Sequence, residues 1–323
     1  MMKTLFAAIL SAAACASAFA AEVAAEAGKL AARATAGTIT VKAENNWLYS
    51  KNELAHLAKG ELARGEVAKK SACRKPANAD PIPALKAFSD GLAGLGIKLI
   101  LVPVPPKLAV EPCAPLKRGE AMAYLRPFYQ ELRAQGIDVL DLSERYLAEA
   151  DKHFYCRTDA HWNPTGIGAA AEELAKRIDL RGTTEFPATT SELEVAGDLA
   201  KSLAPKNPER EKLAFTAVGG RTVDEASPVL LIGDSHTLVF SAGGDMLAEH
   251  GGLAERLAAL LKMPVDRIGV KGSAATAVRI DLYRKAVKNP VWLKNKKYVI
   301  YCFSCREFTE STSGWVKVPV GKK

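Results

Sequence analysis

The most informative segment of this sequence is Val229-Leu230-Leu231-Ile232-Gly233-Asp234-Ser235-His236-Thr237. Its apolar half is continuous rather than alternating, which predicts a strand covered on both faces. Gly233 permits a sharp turn where that strand ends, and Asp234 and Ser235 follow at once. Since open α/β sheets carry their reactive groups at the carboxyl ends of strands, we expect Ser235 to project into a cleft.

Strand and helix signals alternate along the rest of the chain. Further buried strands are predicted at 97–104, 139–142, 267–270 and 298–303. Segments with helical periodicity lie at 83–95, 120–135, 164–178, 241–262 and 274–288. This alternation predicts an α/β fold with a parallel sheet and helices on both faces. Residues 180–225 hold few periodic signals and are interpreted as an insertion or connection.

The amino terminus has the pattern of an export signal. Lys3 precedes an apolar stretch from Leu5 to about Ala16, and Ala18-Phe19-Ala20 fits a small-x-small cleavage site. We therefore divide the chain into a signal peptide (1–20), a loose or helical leader (21–44), a main domain (45–310) and a C-terminal tail (311–323). Two alternatives are open: a lipoprotein attachment at Cys15, and an uncleaved signal that tethers the protein to the membrane.

The composition is that of a globular protein with a basic surface. Apolar residues make up 48% and charged residues 25% of the chain, and the formal net charge is +8. An exported protein meets few nucleic acids, so this charge suits an anionic polysaccharide or an anionic membrane surface. The alternative is that the charge only keeps the protein in solution.

The six cysteines are Cys15, Cys73, Cys113, Cys156, Cys302 and Cys305. Signal cleavage leaves an odd number, which in an oxidising compartment predicts up to two disulfides and one free thiol. The last two have CxxC spacing but end a strand, whereas a redox motif opens a helix. A zinc site would require a second close Cys or His pair, which the sequence lacks. A structural disulfide is therefore the favoured use, with a redox role as the alternative.

Ser235 needs a base, because a serine hydroxyl is a weak nucleophile at neutral pH. The alternative role for Asp234 or Ser235 is simply to cap the next helix. Near a helix start, the N–H of Ser235 or of its neighbour is also a candidate donor to an oxyanion.

The segment from Phe154 to Pro164 supplies a candidate base. Asn163 fits a helix N-cap and Pro164 the first helical position. Asp159 and His161, two apart on extended chain, project to the same side. Asp159 is thus placed to hold the His161 ring in the tautomer that accepts a serine proton. The alternatives are a local hydrogen bond at a helix start, or half of a metal site.

Gly-Asp-Ser after a buried strand, with Asp-x-His-Trp-Asn before a helix, resembles the alginate O-acetyltransferase family of SGNH-hydrolase-like proteins, the AlgJ and AlgX type. The resemblance runs from about Trp47 to Phe308. In the ordinary SGNH order the Asp and His follow the serine, whereas in this family, as here, they precede it. Weaker marks are Asn46 to Tyr49, Pro103 to Lys107, Ile137 to Leu142, Gly197 to Leu199 and Cys305 to Phe308.

The resemblance implies a parallel-sheet α/β/α sandwich of SGNH-hydrolase-like type, with permuted catalytic motif order, over residues 45–310. It implies that Ser235 is the nucleophile, His161 the general base and Asp159 the residue that orients it. Candidates for further oxyanion donors are Gly272, Ser304 and Arg306. Candidates for lining the substrate site are His236, Tyr155 and Trp162. We assign no metal ligands and expect no cofactor.

The implied function is transfer of an acetyl group, through an acetyl-serine intermediate, onto hydroxyls of an exported polysaccharide such as alginate. The setting would be the periplasm, with a membrane acyl-transfer partner, because acetyl-CoA is cytoplasmic. A carbohydrate esterase that uses water as acceptor needs the same residues and is the first alternative. A non-catalytic polysaccharide-binding assembly subunit is the second.

Overall fold

The computed structural model describes residues 20–34, 37–62, 65–119 and 122–321. The predicted signal peptide lies outside the described residues except for Ala20, and Cys15 lies outside them too. The strands are β1 (Thr40–Lys42), β2 (Leu48–Ser50), β3 (Lys98–Val104), β4 (Asp138–Val139), β5 (Ala188–Val195), β6 (Glu211–Val218), β7 (Val229–Gly233), β8 (Asp266–Gly269) and β9 (Tyr298–Ser304).

The helices are α1 (Lys51–Leu57), α2 (Ile82–Ala93), α3 (Lys107–Val110), α4 (Arg126–Ala134), α5 (Ser143–Ala148), α6 (Pro164–Arg177), α7 (Asp198–Leu203), α8 (Leu253–Leu261), α9 (Ala277–Lys288), α10 (Pro290–Lys294) and α11 (Glu307–Glu310). Short 3-10 turns lie at Pro76–Asn78, Ala123–Leu125, Ser235–Thr237 and Gly244–Met246. A further helical segment covers 20–32.

The predicted parallel sheet is confirmed, with the strand order β4-β3-β9-β7-β8. Every residue of β7 and β9 is buried, so both faces of the sheet centre are covered, as their continuous apolar sequences require. The α/β fold is thereby confirmed as well. Adjacent parallel strands end at the same edge, so the residues after β7 lie beside those after β9.

One sequence-based expectation about the other elements is wrong, and one segment holds strands that the sequence did not predict. The helix predicted over 241–262 is helical only at Leu253–Leu261, because Gly243 and Gly244 take positive φ angles of 66° and 59° and break the first half. Residues 180–225 contain the antiparallel pair β5 and β6. Most residues of β5 are exposed, so this hairpin lacks the apolar signal by which the central strands were recognised.

Both ends of the described chain pack against the domain. Val23, Ala27 and Leu30 of the N-terminal helical segment belong to the main hydrophobic core. Trp315 and Val320, in the segment predicted as a tail, belong to the same core. Among the described residues, no helix combines the length and apolar character that a membrane crossing requires.

The predicted disulfides are absent from the described residues. Cys73, Cys113, Cys156, Cys302 and Cys305 are all free thiols. Cys302 belongs to β9, and Cys305 lies in the turn after it, where its Sγ contacts the Tyr124 hydroxyl at 3.4 Å. Cys305 Sγ also lies 3.8 Å from His56 Nε2, so its neighbours are Tyr124 and His56 rather than Cys302.

Candidate active site

Ser235 stands at the carboxyl end of β7, where the sequence predicted it. A Cβ on Gly233 would lie 1.7 Å from the Cys302 carbonyl oxygen, so only glycine allows β7 to turn this close to β9. The 3-10 turn that follows is capped by Asp234, whose side chain accepts the N–H of His236. The capping role therefore falls to Asp234, and the Ser235 hydroxyl is left for other partners.

Asp159 and His161 lie on the irregular segment before α6. Asn163 caps this helix by accepting the N–H of Gly166, and Pro164 opens it, as predicted. Asp159 Oδ1 accepts the N–H of His161 at 2.9 Å and contacts His161 Nδ1 at 2.6 Å. The Asp-x-His spacing thus closes a local ring of hydrogen bonds that fixes the imidazole.

The two segments meet at one hydrogen bond. His161 Nε2 lies 2.7 Å from Ser235 Oγ, across 74 residues of sequence. Because Asp159 engages Nδ1, the proton is assigned to that nitrogen and Nε2 is free to accept the serine proton. Ser235 is 9% exposed and His161 7% exposed, so both are sheltered yet accessible. The arrangement is that of a nucleophile, a base and an orienting carboxylate.

Charge and burial act in opposite directions on the pKa values of Asp159 and His161, which together with Ser235 form the proton relay. Burial would raise the pKa of Asp159, but His161 and two backbone N–H groups hold it below its ordinary value. Burial would likewise lower the pKa of His161, but the charge and hydrogen bond of Asp159 raise it above its ordinary value of 6.5. The carboxylate is therefore ionised, and it stabilises the imidazolium that forms when His161 takes a proton.

Three residues that carried no assigned role in the sequence hold the Asp159 segment in place. Lys107, 1% exposed, donates to the carbonyl oxygens of Asp159 at 2.8 Å and Arg157 at 3.1 Å. The N–H of Asp198 donates to Asp159 Oδ2 at 2.8 Å. Glu211 Oε1 accepts the N–H and the hydroxyl of Thr158. The motifs around Lys107 and Asp198 were visible in the sequence, whereas nothing there marks Glu211.

Asp159, His161 and Asp198 also form a group whose ligand atoms lie within 4.8 Å of one another, a spacing that a metal ion can bridge. In the folded chain these side chains are already hydrogen bonded, to each other and to backbone N–H groups. His161 Nδ1, facing Asp159, has no lone pair left for an ion. We therefore interpret Asp159 and His161 as part of the hydrogen-bonded path to Ser235, with Asp198 as a support of Asp159.

The oxyanion candidates fall into different surroundings. Ser304 donates its N–H to Asp234 Oδ2 at 2.7 Å, so that donor is already used. Gly272 is exposed in the loop after β8, with a φ of 89°. Arg306 forms a 3.9 Å ion pair with Glu307, and its charge contributes to the lowered pKa of His236.

The three candidates for lining the substrate site also lie in different surroundings. Trp162 is fully buried, and its Nε1 donates to the His236 carbonyl at 3.2 Å, so it supports the site from behind. Tyr155 is 2% exposed, its hydroxyl donates to the Pro105 carbonyl, and the residue borders a cavity of about 480 Å³. His236 adjoins the relay, with its ring centre 4.9 Å from that of His161.

Known proteins resemble this chain in sequence. A family model described as "SGNH hydrolase-like domain, acetyltransferase AlgX" matches residues 40–283. A probable alginate O-acetylase AlgJ of Pseudomonas syringae pv. tomato is 28% identical, over 63% of this chain and 52% of that protein. The chain thus spans about half the length of this curated relative.

Solved structures show the same fold at lower identity. The O-acetyltransferase domain of Pseudomonas putida AlgJ matches with a TM-score of 0.61 and 19% identity, over 84% of this chain and 92% of that one. Pseudomonas aeruginosa AlgX matches with a TM-score of 0.59 and 19% identity, over 86% of this chain and 65% of that one. The SGNH-hydrolase-like architecture is therefore shared by sequence family and by structure.

Proposed function

Since the chain belongs to the SGNH hydrolase-like family of AlgX acetyltransferases, we propose that it is a polysaccharide O-acetyltransferase that carries the acetyl group on Ser235. The observation that supports this most directly is the continuous path Asp159 Oδ1, His161 Nδ1, His161 Nε2, Ser235 Oγ, with contacts of 2.6 Å and 2.7 Å. A serine activated in this way attacks an acyl carbon and forms an ester.

In the proposed first step, Ser235 Oγ attacks the carbonyl carbon of an acetyl donor while His161 Nε2 takes the serine proton. The donor's leaving group departs with that proton, and acetyl-Ser235 remains. In the second step, a sugar hydroxyl attacks the ester carbon and gives its proton to His161. Ser235 Oγ leaves and recovers the proton, which returns the relay to its starting state.

The tetrahedral intermediates need donors for their oxyanion. The N–H groups of His236 and Ser304 are committed to Asp234, which excludes them. We propose the N–H of Ser235, at the head of its turn, as one donor and Gly272 as a second. Each donor of this kind contributes about 3 kcal/mol of transition-state stabilisation.

The proposed setting is outside the cytoplasm, at an exported polymer. The signal-like start and the net charge of +8 support an exported protein and an anionic chain such as alginate. Acetyl-CoA is cytoplasmic, so a membrane partner that passes the acetyl group across the bilayer belongs to this proposal.

The test is a donor and acceptor assay on the purified protein. It is incubated with a chromogenic acetyl ester, and mass spectrometry is used to locate an acetyl group on Ser235. Oligouronates and neutral oligosaccharides then serve as acceptors, with Ser235→Ala as control. Acetylated sugar supports the proposal, whereas acetate release with every acceptor indicates an esterase. Full polymer acetylation in cells carrying Ser235→Ala would indicate a non-catalytic subunit.

A further inference from the structure

His236, the residue after the nucleophile, has no part in the proton relay, yet its ring is held in one orientation. Asp234 Oδ1 accepts its N–H at 2.9 Å and contacts its Nδ1 at 3.0 Å. The Trp162 ring lies edge-on to the His236 ring, with the ring centres 5.4 Å apart, and Trp162 Nε1 donates to the His236 carbonyl. These contacts anchor both the backbone and the ring of His236.

The same contacts determine which nitrogen of His236 is available. Because the Asp234 carboxylate accepts from Nδ1, the proton is assigned to Nδ1 and Nε2 presents a lone pair. Burial lowers the pKa of His236, and the positive charges of His161 and Arg306 add to this effect against the opposing charge of Asp234. The ring is therefore neutral at neutral pH, and Nε2 is a hydrogen-bond acceptor.

Nε2 of His236 faces an opening rather than a protein partner. It makes no hydrogen bond within the described residues, where the partners of this residue are Asp234 and Trp162. It is not fully enclosed either. The fully buried side-chain nitrogen and oxygen atoms without a hydrogen-bond partner in the described chain are Ser143 Oγ, Tyr146 OH, Glu255 Oε2 and Arg279 Nη1, and His236 Nε2 is not one of them. The 4% of His236 that is exposed thus includes its acceptor nitrogen.

A second imidazole, that of His236, thus lies beside the His161 ring that contacts Ser235. Their ring centres lie 4.9 Å apart at an angle of 61°. His161 Nε2 is engaged by Ser235 Oγ and receives the proton of whichever hydroxyl attacks the acetyl group. The second acceptor, on His236, is free for another hydroxyl of the same incoming molecule. A sugar ring carries hydroxyls on neighbouring carbons, whereas water carries no second hydroxyl.

Building on the proposed acetyl transfer, we propose that His236 is a specificity-determining residue for the acceptor. Its Nε2 accepts a hydrogen bond from a sugar hydroxyl adjacent to the one that attacks acetyl-Ser235. The acceptor class is thus a vicinal diol, and the contact favours transfer to sugar over hydrolysis by water. No proton is exchanged with His236, because the attacking hydroxyl gives its proton to His161.

The decisive quantity is the partition of acetyl-Ser235 between sugar and water. Both products arise from one intermediate, so their ratio is independent of how fast that intermediate forms or how much protein is folded. The assay measures acetylated sugar and free acetate together, from a chromogenic acetyl ester. The acceptors are an oligosaccharide with a vicinal diol and its analogue with the neighbouring hydroxyl replaced by hydrogen.

The test variant is His236→Asn, whose amide can replace Nδ1 toward Asp234 but leaves no atom at the Nε2 position. We expect its ratio of transfer to hydrolysis to fall about tenfold with the diol, the usual effect of one lost hydrogen bond. With the deoxy analogue, the parent and His236→Asn should give the same ratio. His236→Gln, which places a polar group near Nε2, should recover part of the loss. His250→Asn, at an exposed histidine paired with Glu249, is the matched control.

Three results would overturn the inference about His236, and only the last would also overturn the proposed function. An unchanged ratio in His236→Asn with the diol overturns the inference while the transferase proposal stands. An equal fall in ratio with the diol and its deoxy analogue also overturns it, because the neighbouring hydroxyl would then be irrelevant. A parent protein that acetylates no sugar overturns the proposed function itself and the inference with it.

Discussion

The chain places the pattern Asp-x-His twice at its proposed active site, as Asp159-Ala160-His161 and Asp234-Ser235-His236. In both, one carboxylate oxygen accepts the N–H of the histidine at 2.9 Å and contacts its Nδ1. In both, the other oxygen accepts a backbone N–H from a distant segment, that of Asp198 or Ser304. Local hydrogen bonding is therefore the same in the two copies.

The surroundings make the two histidines different. Asp159 lies closer to its ring, at 2.6 Å against 3.0 Å for Asp234, and further carboxylates raise the pKa of His161. His236 faces His161 and Arg306 instead, and burial lowers its pKa. The short motif thus sets the tautomer of a histidine, while its surroundings determine whether its pKa is raised, as in His161, or lowered, as in His236.

We expect the greatest loss of activity when the hydrogen bond between His161 and Ser235 is removed. Ser235→Ala and His161→Ala should each reduce kcat/KM for a chromogenic acetyl ester by at least about 10³-fold, because base and nucleophile act as a unit. The double variant should be no worse than either single one. Additive losses would show that the 2.7 Å contact between them is not used in the reaction.

The same substitution in both carboxylates tests whether only one of the two pairs serves Ser235. Asp159→Asn should reduce kcat/KM by about 10⁴-fold, since it removes the charge that orients and stabilises the catalytic imidazole. Asp234→Asn, which weakens the cap on the turn that carries Ser235 but leaves the Asp159–His161 pair intact, should cost only about tenfold. Both are measured with the same acetyl ester. Equal losses would mean that both pairs serve the nucleophile.

The pH dependence of ester cleavage tests the role of His161 while His236 is left unaltered. His161 must be neutral to accept a proton, and its pKa is raised above 6.5. The kcat/KM for ester cleavage should therefore fall about tenfold per pH unit below that raised pKa. Asp159→Asn should move this fall to lower pH, because the charge that raises the pKa is gone. An acid limb entirely below pH 6.5 in the parent would contradict the assignment.

We expect a smaller effect at Lys107, which supports the backbone beside the Asp159–His161 pair. Lys107→Met removes donors to the carbonyls of Arg157 and Asp159, which should lower the free energy of unfolding by about 1–3 kcal/mol and loosen the catalytic segment. Lys296→Met is the matched control, because Lys296 is equally buried but pairs with Asp266 away from the relay. Urea denaturation should show losses in both variants, and kcat/KM a loss only in Lys107→Met.

Sequence reasoning was strongest where the signal is local. Continuous apolar runs predicted all the strands of the central sheet, and Asn163 and Pro164 predicted the start of α6. It failed at 241–262, where glycines break a helical pattern, and at the exposed hairpin of β5 and β6. Glu211 lies on that hairpin, so its contact with Thr158 had no signal by which to be found.

The class of fold, the turn that carries Ser235 and the local bond between Asp159 and His161 could all be inferred from the sequence. These depend on residues within a few positions of one another, through strand hydrophobicity, glycine geometry and a two-residue spacing. The folded arrangement was needed to show that His161 contacts Ser235, that Lys107 and Asp198 hold Asp159 in place, and that burial lowers the pKa of His236. Those outcomes depend on burial and on charges from residues far apart in the chain, and such interactions exist only once the segments are folded together.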